Sequence, residues 1–203
     1  MKPQRHKQQS KRKTNSPLGS IRIIGGQWRG RRLPVVAGDG LRPTTDRVKE
    51  TVFNWLQFEL QGSHVLDLFA GSGGLGLEAL SRGAAQVMFA EVNPAAVQQL
   101  QKNLLQLKAS ERASINPKGA VEQLQSTPQA SVDILFLDPP FNHNWLDKVV
   151  PLIESNQLLA PSGWVYIELG RSEPLPPLPA SWRLHREKSM GEVCSRLFQV
   201  SSS

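Results

Sequence analysis

The chain has 203 residues, a single cysteine and a formal net charge of +7 at pH 7. One cysteine, Cys194, excludes an internal disulfide and a cysteine-rich metal site. No apolar run approaches the about 18 residues of a membrane span, and residues 1–20 lack the apolar centre of a secretory signal. We therefore expect a soluble cytoplasmic protein with one main domain, since a chain of this length buries about 70% of its unfolded surface.

The positive charge is concentrated at the start of the chain. Residues 1–49 contain 13 of the 24 lysines and arginines but only Asp39 and Asp46 among the acidic residues, so they carry +11 and the remainder carries −4. A basic segment is often only a solvated tail. Its extension over a whole quarter of the chain favours a polyanionic partner, most simply a nucleic acid.

The first 60 residues divide into two parts. Residues 1–20 are polar and basic, which predicts a disordered tail. Residues 21–60 predict a hairpin around glycines followed by a helix, and residues 61–203 form the main domain. Interleaved arginines and an indole in the hairpin suit RNA contact, the alternative being a packing tryptophan among solvated arginines. The residues concerned are Arg22, Trp28, Arg29, Arg31 and Arg32.

A helix is predicted to begin at Thr44 or Thr45, whose hydroxyl caps it, and to end at Gln61-Gly62. Its apolar stripe, from Val48 to Leu60, packs it on the main domain. Arg42, Thr44 and Arg47 are polar groups that a packing helix does not need, and we assign them to the cleft that receives the RNA.

Strands and helices then alternate along the chain. Strands are predicted at 65–69, 86–91, 113–116, 132–137 and 163–169, with helices after each of the first four. Residues 182–188 and 193–200 form a terminal hairpin. The pattern predicts an α/β fold with a mostly parallel sheet of seven strands, helices on both faces and antiparallel C-terminal strands.

The glycine turn after the first of these strands indicates a cofactor site. Gly71-x-Gly73-x-x-Gly76 matches a dinucleotide fingerprint, and Glu91 lies 20 residues after Gly71, where that motif requires a ribose-binding acid. S-adenosylmethionine needs the same parts, so the spacing alone leaves both cofactors open.

Two carboxylates favour S-adenosylmethionine. Asp67 precedes the glycines, where it suits a cationic cofactor and would repel a pyrophosphate. Asp138-Pro139-Pro140-Phe141 follows the fourth strand, so that a carboxylate and the Pro139 carbonyl can accept the two hydrogens of an exocyclic base amine. Pro140 fixes the local backbone, and Phe141 offers a face on which a base can stack.

These motifs resemble the class I S-adenosylmethionine-dependent N-methyltransferases, which have a Rossmann-like fold. The stretches 22–31, 41–56 and 184–188 look like the RsmD-type enzymes that methylate N2 of a guanine in the 16S RNA of the small ribosomal subunit. The resemblance implies catalysis by the 138–141 tetrad, no metal, and a monomer. It also implies a cofactor site made of Asp67, Phe69, Ala70, Gly71, Gly73, Glu91, Gly119, Ala120 and Asp138.

One position departs from that family. The family usually has Asn or Asp at the place of Gly119, where the side chain contacts the adenine amine, so here only backbone groups of Gly119 and Ala120 are left for that contact.

Three alternatives are weighed against this interpretation. A DNA or RNA adenine-N6 or cytosine-N4 methyltransferase shares the tetrad, but the DNA enzymes usually need a target-recognition domain, for which the C-terminal residues leave no room. Asp67 disfavours a NAD-dependent oxidoreductase. A ribosome-assembly factor that binds RNA without catalysis is the third.

Overall fold

The computed structural model describes residues 19–36, 45–141 and 143–201. The predicted tail up to residue 18, Arg42 and Thr44 lie outside these residues. The first elements are β1 (Gly19–Arg22), a 3₁₀ turn (Gly26–Trp28), β2 (Arg32–Val35) and α1 (Asp46–Trp55). Strand β1 begins at Gly19, two residues before residue 21, where the hairpin was predicted to begin.

Strands and helices alternate from residue 64 onward, as predicted. The elements are β3 (His64–Asp67), α2 (Gly74–Ser81), β4 (Gln86–Ala90), α3 (Pro94–Leu107), a 3₁₀ turn (Ser110–Arg112), β5 (Ala113–Asn116), α4 (Ala120–Ser126), β6 (Val132–Leu137), α5 (Trp145–Ser155), β7 (Leu159–Gly170), β8 (Trp182–Met190) and β9 (Val193–Val200).

The described residues form a seven-stranded sheet in the order β5-β4-β3-β6-β7-β9-β8, and β1 pairs with β2 in a separate hairpin. The pairs from β5 through β7 are parallel, whereas β9 is antiparallel to both of its neighbours. The predicted fold class is therefore confirmed. The chain reverses its direction of travel across the sheet between β3 and β6, and open α/β sheets bind ligands at such a switch point.

Local signals in the sequence place two of the helix starts. The Thr45 hydroxyl accepts the backbone N–H of Val48 and caps α1. The Asn93 side chain accepts from Ala95 and Ala96 at the start of α3, where Pro94 takes the first position because it has no N–H to satisfy.

Two element ends differ from prediction. Helix α1 ends at Trp55 rather than near residue 61, and the chain continues in turns that keep Leu56 and Leu60 buried. Leu56 and Leu60 therefore keep the helical spacing of the apolar residues although both lie beyond the end of the helix. Strand β7 begins at Leu159 rather than Gly163, because Leu159 already pairs with Val132 of β6. An irregularity separates this pair from the next, Ile134 with Trp164.

The sheet separates two hydrophobic clusters. One, the α1-side cluster, lies on the side of α1, α2 and α3 and includes the hairpin residues Ile21 and Leu33. The other lies on the side of α4 and α5. The N-terminal extension thus shares a core with the sheet, and α1 packs on the main domain as predicted.

The glycine-rich end of the hairpin is anchored to the C-terminal half of α2. Glu78, which is fully buried, accepts the backbone N–H groups of Ile24 and Gly25 at 2.9 and 2.7 Å and the Arg82 Nε–H at 2.8 Å. A side chain at Gly26 would collide with the carbonyl of Ser81. Gly25 and Gly26 therefore allow the loop to lie directly against the helix.

Trp28 is part of this anchor, and the prediction that it stacks on RNA is wrong. Trp28 is 8% exposed, its backbone N–H donates to the Ser81 hydroxyl at 3.0 Å, and the Arg112 guanidinium lies 5.4 Å from the centroid of the indole. The indole fills the gap between hairpin and helix, so no face remains for a base. The alternative, a packing tryptophan among exposed arginines, is the one observed.

Among the described residues, no helix combines the length and apolar character that crossing a bilayer requires. Cys194 is buried on β9, as predicted.

Candidate functional site

A cavity of about 360 Å³ opens at the carboxyl ends of β3, β4, β5 and β6. It lies at the switch point of the sheet, where three of the predicted motifs meet. The predicted residues that line it are Asp67, Phe69, Ala70, Gly71, Glu91, Gly119, Ala120, Asp138, Pro139, Pro140 and Phe141. The structure therefore brings together the predicted cofactor and catalytic residues, which are up to 74 positions apart in the sequence.

The three fingerprint glycines have different tasks. Gly71 has φ +52° and lines the cavity. Gly73, predicted to contact the cofactor, is buried and not among the lining residues: it has φ +79°, and a side chain there would lie 2.6 Å from Leu100. A side chain at Gly76 would lie 2.2 Å from the Phe89 ring. Only the first glycine exposes backbone to a ligand, while the other two permit the turn and the close packing of α2.

Asp67 is a buried carboxyl at the end of β3. Its Oδ2 accepts the Gly76 backbone N–H at 3.0 Å, and its side chain borders the cavity. Burial, assisted by the nearby charge of Glu91 and opposed by the Gly76 hydrogen bond, raises the pKa of Asp67 to about 7. A cation placed in the cavity would reverse the penalty on the ionised form.

Glu91 braces the glycine turn. Its Oε2 accepts the Gly71 N–H at 2.7 Å and its Oε1 accepts the Asn93 N–H at 2.6 Å. Each carboxylate oxygen has two lone pairs, so these bonds leave acceptor capacity that faces the cavity. The side chain is thereby fixed in position at the end of β4.

The Asp138-Pro139-Pro140-Phe141 tetrad forms another wall of the cavity. Asp138 is half-buried directly after β6, Pro139 is buried, and Phe141 packs on the α1-side cluster. The last pair of the β6–β7 ladder is Leu137 with Ile167.

A buried polar cluster lies behind this wall on β7 and β9. The Tyr166 hydroxyl donates to Glu168 Oε2 at 2.7 Å and lies 2.9 Å from the Ser195 hydroxyl. Burial raises the pKa of Tyr166 well above its ordinary value, and the charges of Glu168 and Asp138 act in the same direction. The tetrad is therefore backed by a buried cluster of hydrogen-bonded polar side chains.

Several lining residues were missed by the sequence reasoning, and Trp145, Val92 and Lys118 are among them. Trp145, the first residue of α5, packs edge-on against Phe69 with centroids 5.6 Å apart, and Lys148 lies over its ring. Val92 is 66% exposed directly after Glu91, and Lys118 precedes Gly119. An exposed apolar residue beside the predicted ribose-binding acid was the one signal that could have identified Val92.

The predicted RNA residues that the structure describes do not line the cavity. Arg29, Arg31 and Arg32 are exposed on the hairpin, and Arg47 is exposed on α1. Arg22 donates to Asp46 at 2.8 Å. The hairpin arginines follow the loop that is docked on the C-terminal end of α2, the end opposite the glycine turn, so they lie apart from the cavity.

Buried Lys49 joins the Arg22–Asp46 pair, donating to the Arg22 carbonyl, and burial lowers its pKa. In the part of the chain that the structure describes, no group of three or more His, Cys, Asp or Glu side chains could hold a metal ion.

Known proteins match this chain over most of its length. A family model described as "Conserved hypothetical protein 95" matches residues 21–199. The chain is 49% identical over 190 residues to the ribosomal RNA small subunit methyltransferase D of Escherichia coli strain K12, covering 93% of this chain and 94% of the relative. It is 46% identical to the protein of the same name from Haemophilus influenzae, covering 92% and 97%.

Solved structures show the same fold. The Escherichia coli protein yhhF superposes with a TM-score of 0.81 at 48% identity, covering 91% of this chain and all of that one. An RNA methyltransferase from Salinibacter ruber, in complex with S-adenosyl-L-homocysteine, superposes with a TM-score of 0.61 at 14% identity, covering 80% and 95%. At that identity the second match shows the fold alone.

Proposed function

Since the chain belongs to the family of the ribosomal RNA small subunit methyltransferase D, we propose that it transfers a methyl group from S-adenosyl-L-methionine to N2 of a guanine in small-subunit ribosomal RNA. The observation that carries this proposal is the Asp138–Phe141 tetrad on the wall of the cavity that also holds Asp67 and Glu91. The guanine and its N2 atom come from the family resemblance, because every exocyclic amine makes the same demand on Asp138. We also propose that the reaction takes place in the cytoplasm, which its bacterial relatives support.

The cavity fits this cofactor on three grounds. Buried Asp67 is an acceptor for an ammonium group, and Glu91 has acceptor capacity for ribose hydroxyls. A side chain at Gly119 would meet nothing within 4 Å, so the backbone there is accessible to an adenine ring beside Ala120 and Val92. When bound, S-adenosyl-L-methionine supplies an electrophilic methyl group on a positively charged sulfur.

The tetrad orients the amine that receives the methyl group. The Asp138 carboxylate and the Pro139 carbonyl each accept a hydrogen bond from one of the two N–H groups of the amine. These hydrogen bonds localise the lone pair on the nitrogen. Phe141 offers a stacking face for a guanine that has left its own helix or loop. The amine gains a methyl group and loses one proton, which passes to Asp138. Positioning supplies most of the rate, because the alkylated amine is acidic enough to need no strong base.

Arg29, Arg31, Arg32 and Arg47 are proposed as outlying RNA contacts. Their exposure and charge support this assignment, and since none of them lines the cavity, we assign them to backbone phosphates beyond the target nucleotide.

The test is methyl transfer from labelled S-adenosyl-L-methionine to unmethylated small subunits, with mapping of the modified base. At saturating cofactor, Asp138→Ala lowers kcat at least about a hundredfold. Asp147→Ala, which removes an exposed carboxylate on α5, leaves it unchanged. Near-normal transfer by Asp138→Ala would refute the mechanism.

The same assay decides among the rival functions. A methyl group mapped to adenine or cytosine would show that one of these bases, rather than guanine, is the target. RNA binding without any methyl transfer would favour a non-catalytic assembly factor.

A further inference from the structure

Strand β8 carries an uncovered surface at the edge of the sheet. It pairs only with β9 among the described strands, and each residue from 183 to 189 is exposed. An exposed edge strand invites pairing with another chain, and charged side chains are one way in which proteins prevent it. Preventing such pairing would not require the cations of β8 to share one face of the sheet, as they do.

A β-bulge sets this distribution. Leu184 pairs with Phe198 and Arg186 with Leu197, so His185 is an extra residue without its own partner on β9. Without the bulge, strict alternation would place Arg183 on one face and Arg186 and Lys188 on the other. A bulge that redirects side chains in this way is a structural device rather than a defect.

With the bulge, the arginines and the lysine of β8 share one face. Arg183 pairs with Gln199, Arg186 with Leu197 and Lys188 with Ser195, and these three partners alternate along β9 on a single face. Leu197 belongs to the α1-side cluster, so this is the face on which α1 lies. His185 is on the same side, where its ring contacts Trp164 at 5.0 Å.

The opposite face carries no net positive charge from β8. It presents Leu184, Ser189 and Glu187, and the Glu187 carboxylate is paired with Arg196. The bulge therefore moves Arg183 onto the face of Arg186 and Lys188, away from the face of Glu187.

The basic face leads to the catalytic wall. Lys188 pairs with Ser195, which pairs with Glu168 on β7. Asp138 follows the Leu137–Ile167 pair by one residue and shares the face of Phe136 and Tyr166, which places it at the level of Glu168. Three strand spacings of about 4.8 Å separate β6 from β8, so Lys188 and Asp138 stand about 14 Å apart along one row.

We propose that the α1-side face of β8, with Arg183, Arg186 and Lys188, binds the phosphates of the RNA strand that carries the target base. The proposal rests on the proposed function and adds a location for the RNA that the hairpin does not supply. Arginine and lysine on an uncovered surface match a polyanionic backbone, which contributes affinity and register rather than sequence recognition.

The experiment compares binding of unmethylated small subunits by the full chain and by Arg186→Gln/Lys188→Gln over a range of salt concentrations. Losing two phosphate contacts weakens binding about tenfold and makes the slope of log K against log salt shallower by about one to two. Cofactor affinity stays unchanged, and methyl transfer shows a raised KM with kcat within about twofold.

Two matched variants test the face and the charge separately. Adding Leu184→Lys and Ser189→Lys to the double variant restores the net charge on the opposite face, and binding stays weak. Lys102→Gln/Lys108→Asn removes two exposed charges on and just after α3, and binding is retained. Asparagine suits position 108, which has φ +55°.

Unchanged binding by Arg186→Gln/Lys188→Gln, rescue from the opposite face, or equal loss in the α3 control would each overturn the proposal. Failure of the wild-type chain to methylate the subunit would refute the proposed function instead, and the binding comparison would still decide the role of β8.

Discussion

Replacing Asp67 by asparagine separates the stability of this protein from its affinity for the cofactor. The side chain keeps its shape, and an amide oxygen can still accept the Gly76 N–H. What is lost is the ionisable group, whose pKa burial raises from 3.8 to about 7. Without ligand, the ionised carboxylate is a cost to the folded state, so Asp67→Asn is expected to stabilise the ligand-free protein above neutral pH.

The size and direction of the effect follow from proton linkage. A carboxyl with a raised pKa contributes its full stability below about pH 4, and this contribution is lost as pH rises to about 7. One pKa unit corresponds to about 1.4 kcal/mol, so the advantage of Asp67→Asn in free energy of unfolding grows to about 4 kcal/mol by pH 7 and then stays constant. That is a large fraction of the 5–15 kcal/mol typical of a domain.

Cofactor binding should change in the opposite direction. Removing one partner of a buried ion pair costs about 3–5 kcal/mol, so Asp67→Asn should weaken S-adenosylhomocysteine binding at least about a hundredfold at pH 7.5. In the wild type, affinity should rise with pH between 5.5 and 7, because the ammonium group needs the ionised carboxylate. The asparagine variant should lose this dependence.

Urea unfolding from pH 4 to 8 and calorimetric titration from pH 5.5 to 7.5 measure both effects. Glu50→Gln, which alters an exposed carboxyl on α1, is the matched control. A stability difference between wild type and Asp67→Asn that does not vary with pH, or a variant that binds as tightly as the wild type, would refute the reasoning.

Two further predictions concern the anchoring of α2. Glu78→Gln removes the charge that holds Ile24, Gly25 and Arg82, so the free energy of unfolding should fall by about 2–4 kcal/mol in urea titrations; an unchanged midpoint would mean that the hairpin is held by apolar contacts alone. Gly76→Ala forces a methyl group against the Phe89 ring and should cost about 1–3 kcal/mol, whereas Gly74→Ala, where the space is open, should cost less. Equal effects of the two alanines would contradict the packing role of Gly76.

Local sequence signals were sufficient for most of the fold. Asn93-Pro94 starts α3 because an amide oxygen and a missing N–H satisfy the same helix end, whatever surrounds them. Asp67, Glu91 and Asp138 each lie at or just past a strand end, and parallel strands bring their carboxyl ends to one edge. Much of the lining of the cavity could therefore be predicted, although the absence of Gly73 from that lining could not.

The tertiary structure decided the roles of residues whose partners are remote in the chain. Trp28 belongs to a basic, glycine-rich stretch, and its indole is buried only because that stretch docks on α2, where the Trp28 backbone N–H meets Ser81, 53 residues later. The charges of β8 likewise gain a common face only through a bulge in their pairing with β9. Sequence determines helix starts and strand ends because those are satisfied by near neighbours, whereas burial and register depend on which distant surfaces meet.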